Sequence, residues 1–142
     1  MLKTILIATI LTSGFGYTLT PKTPAPAKPA DALKESIQRG EKIYAANCQS
    51  CHMPEGEGMP GVFPPLAKSD YLMKDQKRAI RSVLHGVTGA ITVNGQQYNM
   101  DMPAQNYLSD QEVADVLNYI QNNWGNKAKA VTPAQVKAER KK

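Results

Sequence analysis

An all-α domain is the fold class this sequence predicts. Three segments carry apolar residues at helical spacing, a glycine- and proline-rich stretch separates the first two, and one short segment alone alternates as strands do. The chain has 142 residues, enough for one ordinary domain. Its ten glycines and ten prolines follow no period, which excludes collagen-like, solenoid and coiled-coil classes.

The first helix is predicted to begin at Asp31, whose side chain suits an N-cap, with Leu33, Ile37, Gly40 and Tyr44 recurring at i, i+4, i+7 and i+11 as one stripe. Gly40 on that stripe marks a close helix contact. The second helix is predicted from about Asp75 to His85, with Ile80, Val83, Leu84 and Val87 on one side and Gly86 closing it. In the third, Ser109 and Glu112 make a capping box, Val113, Val116, Leu117, Ile120 and Trp124 form the stripe, and Gly125 is the stop. Residues 91–98 (ITVNGQQY) alternate around Asn94-Gly95, a hairpin signal. Residues 53–69 read as loop, because Pro54, Gly56, Gly58, Pro60, Gly61, Pro64 and Pro65 leave no room for a regular element.

The ends have their own character. Residues 1–19 have the form of an export signal, with Lys3 ahead of the apolar run Ile5 to Leu11, then Ser13, Gly14 and Gly16. The run is short of the ~20 apolar residues of a spanning helix, and no clean small-x-small cleavage site precedes Thr20, so an uncleaved anchor is the alternative. Residues 20–30 (TPKTPAPAKPA) carry four prolines and read as an extended spacer. Residues 126–142, rich in Ala and Lys with no large apolar face, are expected to be a frayed helix or a flexible basic tail. The domain is thus expected to span residues 31–125.

Charge placement bears on partners. The chain is +5 overall, yet residues 31–125 hold eight Lys or Arg against eleven Asp or Glu, and residues 126–142 hold six basic groups against Glu139. A groove-reading protein needs its cations on a folded face, so nucleic acid is excluded as a partner. A mobile basic tail is instead expected to serve membrane or partner tethering.

The chemistry sits in Cys48-Gln49-Ser50-Cys51-His52, which contains both cysteines of the chain. C-x-x-C-H is the covalent haem-attachment pattern. Two thiols three residues apart lie on one side of a helical turn, where they can form thioethers to the two vinyl groups of one porphyrin. The histidine beyond them reaches the iron as an axial ligand. A thioredoxin-like motif needs a βαβ context and a zinc site needs a second ligand pair, and neither is present. A disulfide joins i and i+3 cysteines awkwardly and leaves His52 unexplained.

A second axial ligand has few candidates. Met53 and Met59 are too near His52 in sequence, and Met73 begins a helical segment where it fills core space. Met100 and Met102 lie between the hairpin and the third helix, where an extended loop can cross the ring. Pro103 stiffens the chain at Met102, which is therefore preferred to Met100, with His85 as a third candidate.

With these residues in place the chain resembles a class I, single-haem cytochrome c over about residues 31–125. The resemblance rests on Gly40 and Tyr44, CQSCH at 48–52, Phe63-Pro64-Pro65-Leu66, Met102-Pro103-Ala104, and Leu117-x-Tyr119-Ile120. It implies three to five helices around one covalent haem c, a small hairpin before the distal-ligand loop, and first and last helices that meet at Gly40, Tyr44 and Tyr119. It further implies that the Pro64 carbonyl accepts the His52 imidazole N–H, with Leu66 against the haem. More narrowly, FPPLA-x-SDYL through HGVTGAITVNGQQYNMDMP is similar to cytochrome modules of periplasmic oxidoreductases, although a methionine at position 100 departs from their pattern. The partners implied are redox proteins such as a dehydrogenase, a nitrite reductase or a terminal oxidase, and the location implied is extracytoplasmic.

Iron held by His52 and Met102 is six-coordinate, leaving no open position for oxygen or peroxide, and the soft sulfur raises the potential. The expected function is therefore one-electron transfer without substrate chemistry. The alternative is a five-coordinate or bis-His haem protein acting as peroxidase or gas sensor, for which His85 and Arg81 are the polar candidates over the iron.

Overall fold

The computed structural model describes residues 28–141, so the expected export signal at 1–19 and most of the spacer at 20–30 lie outside the described residues. Helix α1 spans Pro29–Asn47, α2 Gln49–His52, α3 Asp70–Lys74, α4 Gln76–His85, α5 Asp110–Ile120 and α6 Pro133–Arg140. Strands β1 (Ile91–Val93) and β2 (Gln96–Tyr98) pair antiparallel, with Ile91 opposite Tyr98 and Val93 opposite Gln96. Positive φ at Asn94 and Gly95 turns this hairpin in two residues. Among the described residues no helix is long and apolar enough to cross a membrane.

Helix α1 starts two residues before the expected Asp31, with Lys28 as N-cap, because Pro29 has its φ preset for a helix and no N–H to leave unbonded. Its inner face differs from the expected stripe. Ser36, Gly40 and Tyr44 are buried, while Leu33 and Ile37 are only half-buried. The cause is a polar cluster at the crossing with α5. Asp115, buried, takes hydrogen bonds from Ser36 Oγ at 2.5 Å, Arg39 Nε at 2.7 Å, Arg39 Nη2 at 2.9 Å and Gln111 Nε2 at 2.9 Å. A buried carboxylate requires such partners. The two backbones nearly touch there, since a Cβ on Gly40 would lie 2.0 Å from the Asp115 carbonyl oxygen. One turn on, Tyr44 packs against Tyr119 and Trp124 with ring centroids 5.4 and 5.1 Å away.

Helix α5 has the expected capping box, Ser109 accepting from the Glu112 amide and Glu112 from that of Ser109, but it ends at Ile120 rather than near Trp124. The asparagines that follow take over its last carbonyls: Asn122 Nδ2 donates to Asn118 O, Asn123 Nδ2 to Tyr119 O and Asn126 Nδ2 to Ile120 O. Trp124 and Gly125 then turn the chain at positive φ.

Residues 126–140 correct the expectation of a flexible tail. Asn118 pins Val131 by reciprocal bonds, Oδ1 accepting from the Val131 amide at 2.7 Å and Nδ2 donating to its carbonyl at 3.0 Å. Thr132 and Gln135 cap α6, which packs on α4 and α5. Val131 and Val136 join the core beside Ile80, Leu84, Val113 and Leu117. Lys127, Lys129, Lys137 and Lys141 stay exposed, on a fixed surface.

Candidate functional site

The end of α1 builds the attachment turn. Cys48 closes α1 and opens α2, and its carbonyl accepts from the amides of Cys51 at 3.2 Å and His52 at 3.0 Å. Both thiols are free and half-buried. Burial, with Cys51 alongside, pushes the Cys48 thiol up to about 11. Cys48, Cys51 and His52 line one cavity together with Phe63, Pro64, Pro65, Leu66, Leu72, Val83, Val93, Met100, Met102, Leu117 and Ile120.

The His52 side of the cavity is closed by residues 53–66. His52 Nδ1 lies 3.0 Å from the Pro64 carbonyl oxygen. Facing an acceptor, that nitrogen carries the proton, so Nε2 holds the lone pair. Burial holds the imidazole below the ordinary histidine value, in its neutral form, with the Pro64 bond pulling the other way. The loop reaches Pro64 by backbone bonds of its own: Gly58 N to His52 O, Met59 N to Phe63 O, and Leu66 and Ala67 N to Gly56 O. Gly58 sits at φ +65°, and a Cβ there would lie 2.5 Å from Phe63 O and 2.7 Å from Pro64 O. Only glycine lets this loop fold back so that the Pro64 carbonyl faces the imidazole. Tyr44 Oη donates to Met53 O at 2.6 Å and so ties the loop to α1.

The segment with Met100 and Met102 forms another wall. Met102 is half-buried and bridges Val87 through two backbone bonds, Val87 N to Met102 O at 3.0 Å and Met102 N to Val87 O at 2.9 Å. Met100 is 55% exposed at the rim. Gly86, at φ +76°, admits the bridge, since its Cβ would lie 2.4 Å from Met102 O. Gln105 N donates to Val83 O at 2.9 Å and Gln105 Nε2 to Pro103 O at 3.2 Å.

Of the residues singled out from the sequence, the cavity thus gathers Cys48, Cys51, His52, Pro64, Leu66, Met100 and Met102. His85 and Arg81 do not line it. His85 Nε2 points to Glu139 O at 3.3 Å, and Arg81 pairs with the Glu139 carboxylate at 3.6 Å. Sequence reasoning missed three residues of the site: Val87 and Gln105, which line the cavity and tie down the segment with Met102, and Gly58, which lets the Pro64 carbonyl approach. Gly58 and Gly86 carried a readable signal as glycines, but not the identity of the carbonyl each one meets.

A metalloporphyrin asks for an apolar cleft, two thiols for its vinyl groups, and nitrogen or sulfur donors for its metal. The cavity offers mostly apolar walls, two free thiols one turn apart, a neutral imidazole fixed through Nδ1, and two thioethers. The residues present fit the group. A sequence profile of the family described as Cytochrome c matches residues 37–124. Cytochrome c-552 of Thermus thermophilus is 41% identical over 125 residues, covering 72% of this chain and 95% of that protein. The cytochrome c subunit of the quinone alcohol dehydrogenase of Gluconobacter oxydans is 37% identical over 98 residues, covering 67% of this chain and 20% of the subunit. Cytochrome c6 of Bumilleriopsis filiformis is 34% identical over 87 residues, covering 59% of this chain and 87% of that protein. Fold, attachment motif and these likenesses agree: the chain belongs to the cytochrome c family, with the fold of its class I, single-haem members.

Proposed function

We propose that this chain carries single electrons between extracytoplasmic redox partners on one haem c, bound through Cys48 and Cys51 and ligated by His52 and Met102. The bound haem supplies a one-electron ferric/ferrous couple. The observation that carries the reading is the gathering of two thiols, a bare imidazole nitrogen and the Met102 thioether around one apolar cavity. Pro64 fixes the imidazole tautomer and raises its basicity, while Leu66, Leu72, Val83 and Leu117 exclude water. Met102 is preferred to Met100 because its backbone is bridged to Val87, whereas Met100 is exposed at the rim. Were His52 and Met102 both to hold the metal, electron transfer would need no polar catalytic group beside it. The position of His85 and Arg81 outside the cavity speaks against a peroxidase or bis-His reading.

Relatives named as cytochrome c subunits of quinone alcohol dehydrogenase and gluconate 2-dehydrogenase support a dehydrogenase as the donor class. The form of residues 1–19, outside the described residues, supports export. The test is direct. Haem should stay on the exported chain through acid and organic-solvent extraction, and Met102→Ala should abolish the sulfur-to-iron charge-transfer band and lower the potential. Met100→Ala should preserve the band. Extractable haem, or a band lost with Met100 and kept without Met102, overturns the assignment.

A further inference from the structure

Residues 99–109 contain no helix or ladder strand, yet this segment must hold a thioether in place at Met102. Its backbone is secured at Met102 by Val87 and at Gln105 by Val83. Beyond Gln105, the carbonyls of Asn106 and Leu108 precede α5 and find no partner in that helix. Arg140, at the end of α6 and more than thirty residues away in sequence, supplies both. Its Nη1 donates to Asn106 O at 2.9 Å, its Nη2 to Leu108 O at 2.7 Å and its Nε to Asp110 Oδ1 at 2.7 Å. One planar fork thereby holds three points over five residues, which an ammonium group lacks the geometry to do.

The other support of the segment leads back to the same helix. Val83 and Val87 belong to α4 and its exit, and α6 braces α4 through Arg81 with Glu139, His85 with Glu139 O, and Gln135 with Gln76. We infer that Arg140 is a positioning residue for the axial methionine, holding residues 99–109 closed so that Met102 stays on the metal. This rests on the proposed ligation by Met102. Local opening of a loop is governed by the bonds that open with it, and these can be lost with little change in the rest of the fold.

The test uses the haem-loaded ferric protein and imidazole as an entering ligand, whose binding waits on release of Met102. Arg140→Ala should bind imidazole about tenfold faster, equivalent to about 1.4 kcal/mol off the local opening. Arg140→Lys, able to keep the Asp110 contact alone, should fall between. Arg39→Ala is the control. It removes an arginine from a carboxylate at the α1–α5 crossing, away from residues 99–109, and should bind imidazole at the wild-type rate even where its melting temperature falls as far. An Arg140→Ala protein at the wild-type rate, or an equal acceleration by Arg39→Ala, overturns the inference. Amide exchange gives a readout that does not depend on which side chain ligates: Arg140→Ala should lose protection at Met102, Gln105 and Leu108, and unchanged protection there also overturns it. A wild-type protein without a sulfur-to-iron band, but with this local loss of protection, refutes the ligand assignment and leaves the role of Arg140 in the loop standing.

Discussion

The two loops that wall the cavity use the same device and different supports. In residues 53–66, Gly58 lets the Pro64 carbonyl close toward His52, and most supporting bonds run within the loop or to His52, with Tyr44 on Met53 O and Asn126 on Leu66 O as the two ties from elsewhere. In residues 99–109, Gly86 lets the Met102 carbonyl close toward Val87, and the supports come from Val83, Val87 and Arg140. The first loop is therefore held mainly by bonds of its own, whereas the second is held by two other parts of the chain, residues 83–87 and Arg140. Disturbing the first should cost the fold its haem seat, whereas disturbing the second should open the site while leaving the haem attached.

The sharpest way to break this contrast is the pair of glycine variants. Gly58→Ala combines positive-φ strain with a clash against two backbone carbonyls, a cost on the order of 4 kcal/mol. Little folded haem protein should be recovered, as read by haem absorbance per mass of exported chain. Gly86→Ala should give normal covalent haem content but a weakened sulfur-to-iron band. If the two variants behave alike, the loops do not differ as described.

Deleting residues 127–142 comes next. It exposes the surface under Val131 and Val136, each buried side chain accounting for roughly 1.5–3 kcal/mol, and it removes Arg140. Guanidinium denaturation of the haem-loaded protein should show a loss of about 3 kcal/mol or more. A flexible tail would give none, so an unchanged midpoint restores that picture.

A smaller effect is expected where the contrast should vanish, at the α1–α5 crossing, whose polar cluster touches neither loop. Ser36→Ala leaves Asp115 with Arg39 and Gln111 but deprives it of a buried donor, at a cost of about 1–2 kcal/mol. It should lower the melting temperature and leave imidazole binding unaltered.

The smallest is Ser109→Ala, which removes the α5 cap for about 1 kcal/mol and abolishes part of an acid sensitivity. The Ser109 hydroxyl and then its amide hold the Glu112 carboxyl below the ordinary glutamate value. A carboxylate so depressed stabilises fully above its unfolded value, and that contribution is lost as the pH falls through the lower, folded one. Replacing Ser109 should flatten the decline in stability in that acid window, measured by thermal melts as a function of pH.

The same contrast governs what could be read without coordinates. The attachment motif, the Asn94-Gly95 hairpin and the Ser109–Glu112 box each depend on residues within seven positions of one another, and each stands where the sequence put it. The burial of Ser36 in place of Leu33 was hidden because its cause, Asp115, lies 79 residues away. Arg140 was hidden for a further reason: two of its partners are backbone carbonyls, a group that every residue possesses. Helix α6 did leave a local trace, since Thr132, Pro133 and Gln135 form a capping box with proline at N1. A lysine-rich composition masks that trace, and the two apolar side chains that enter the core, Val131 and Val136, are too few to make a visible stripe.

Trp124 gives the molecule an optical property. It is the chain's single tryptophan, and its indole lies between Tyr44, Tyr119 and the backbone of Gly56, so close that a methyl group on Gly56 would meet it at 2.5 Å. The ring is thereby anchored to the very loop that follows the attachment motif. A porphyrin held by Cys48 and Cys51 would absorb where indole emits, so the folded, loaded protein should be dark in fluorescence and should brighten when the loop leaves the indole or the porphyrin is missing. Maturation of the protein can be followed by ultraviolet emission alone, with no label and no substitution.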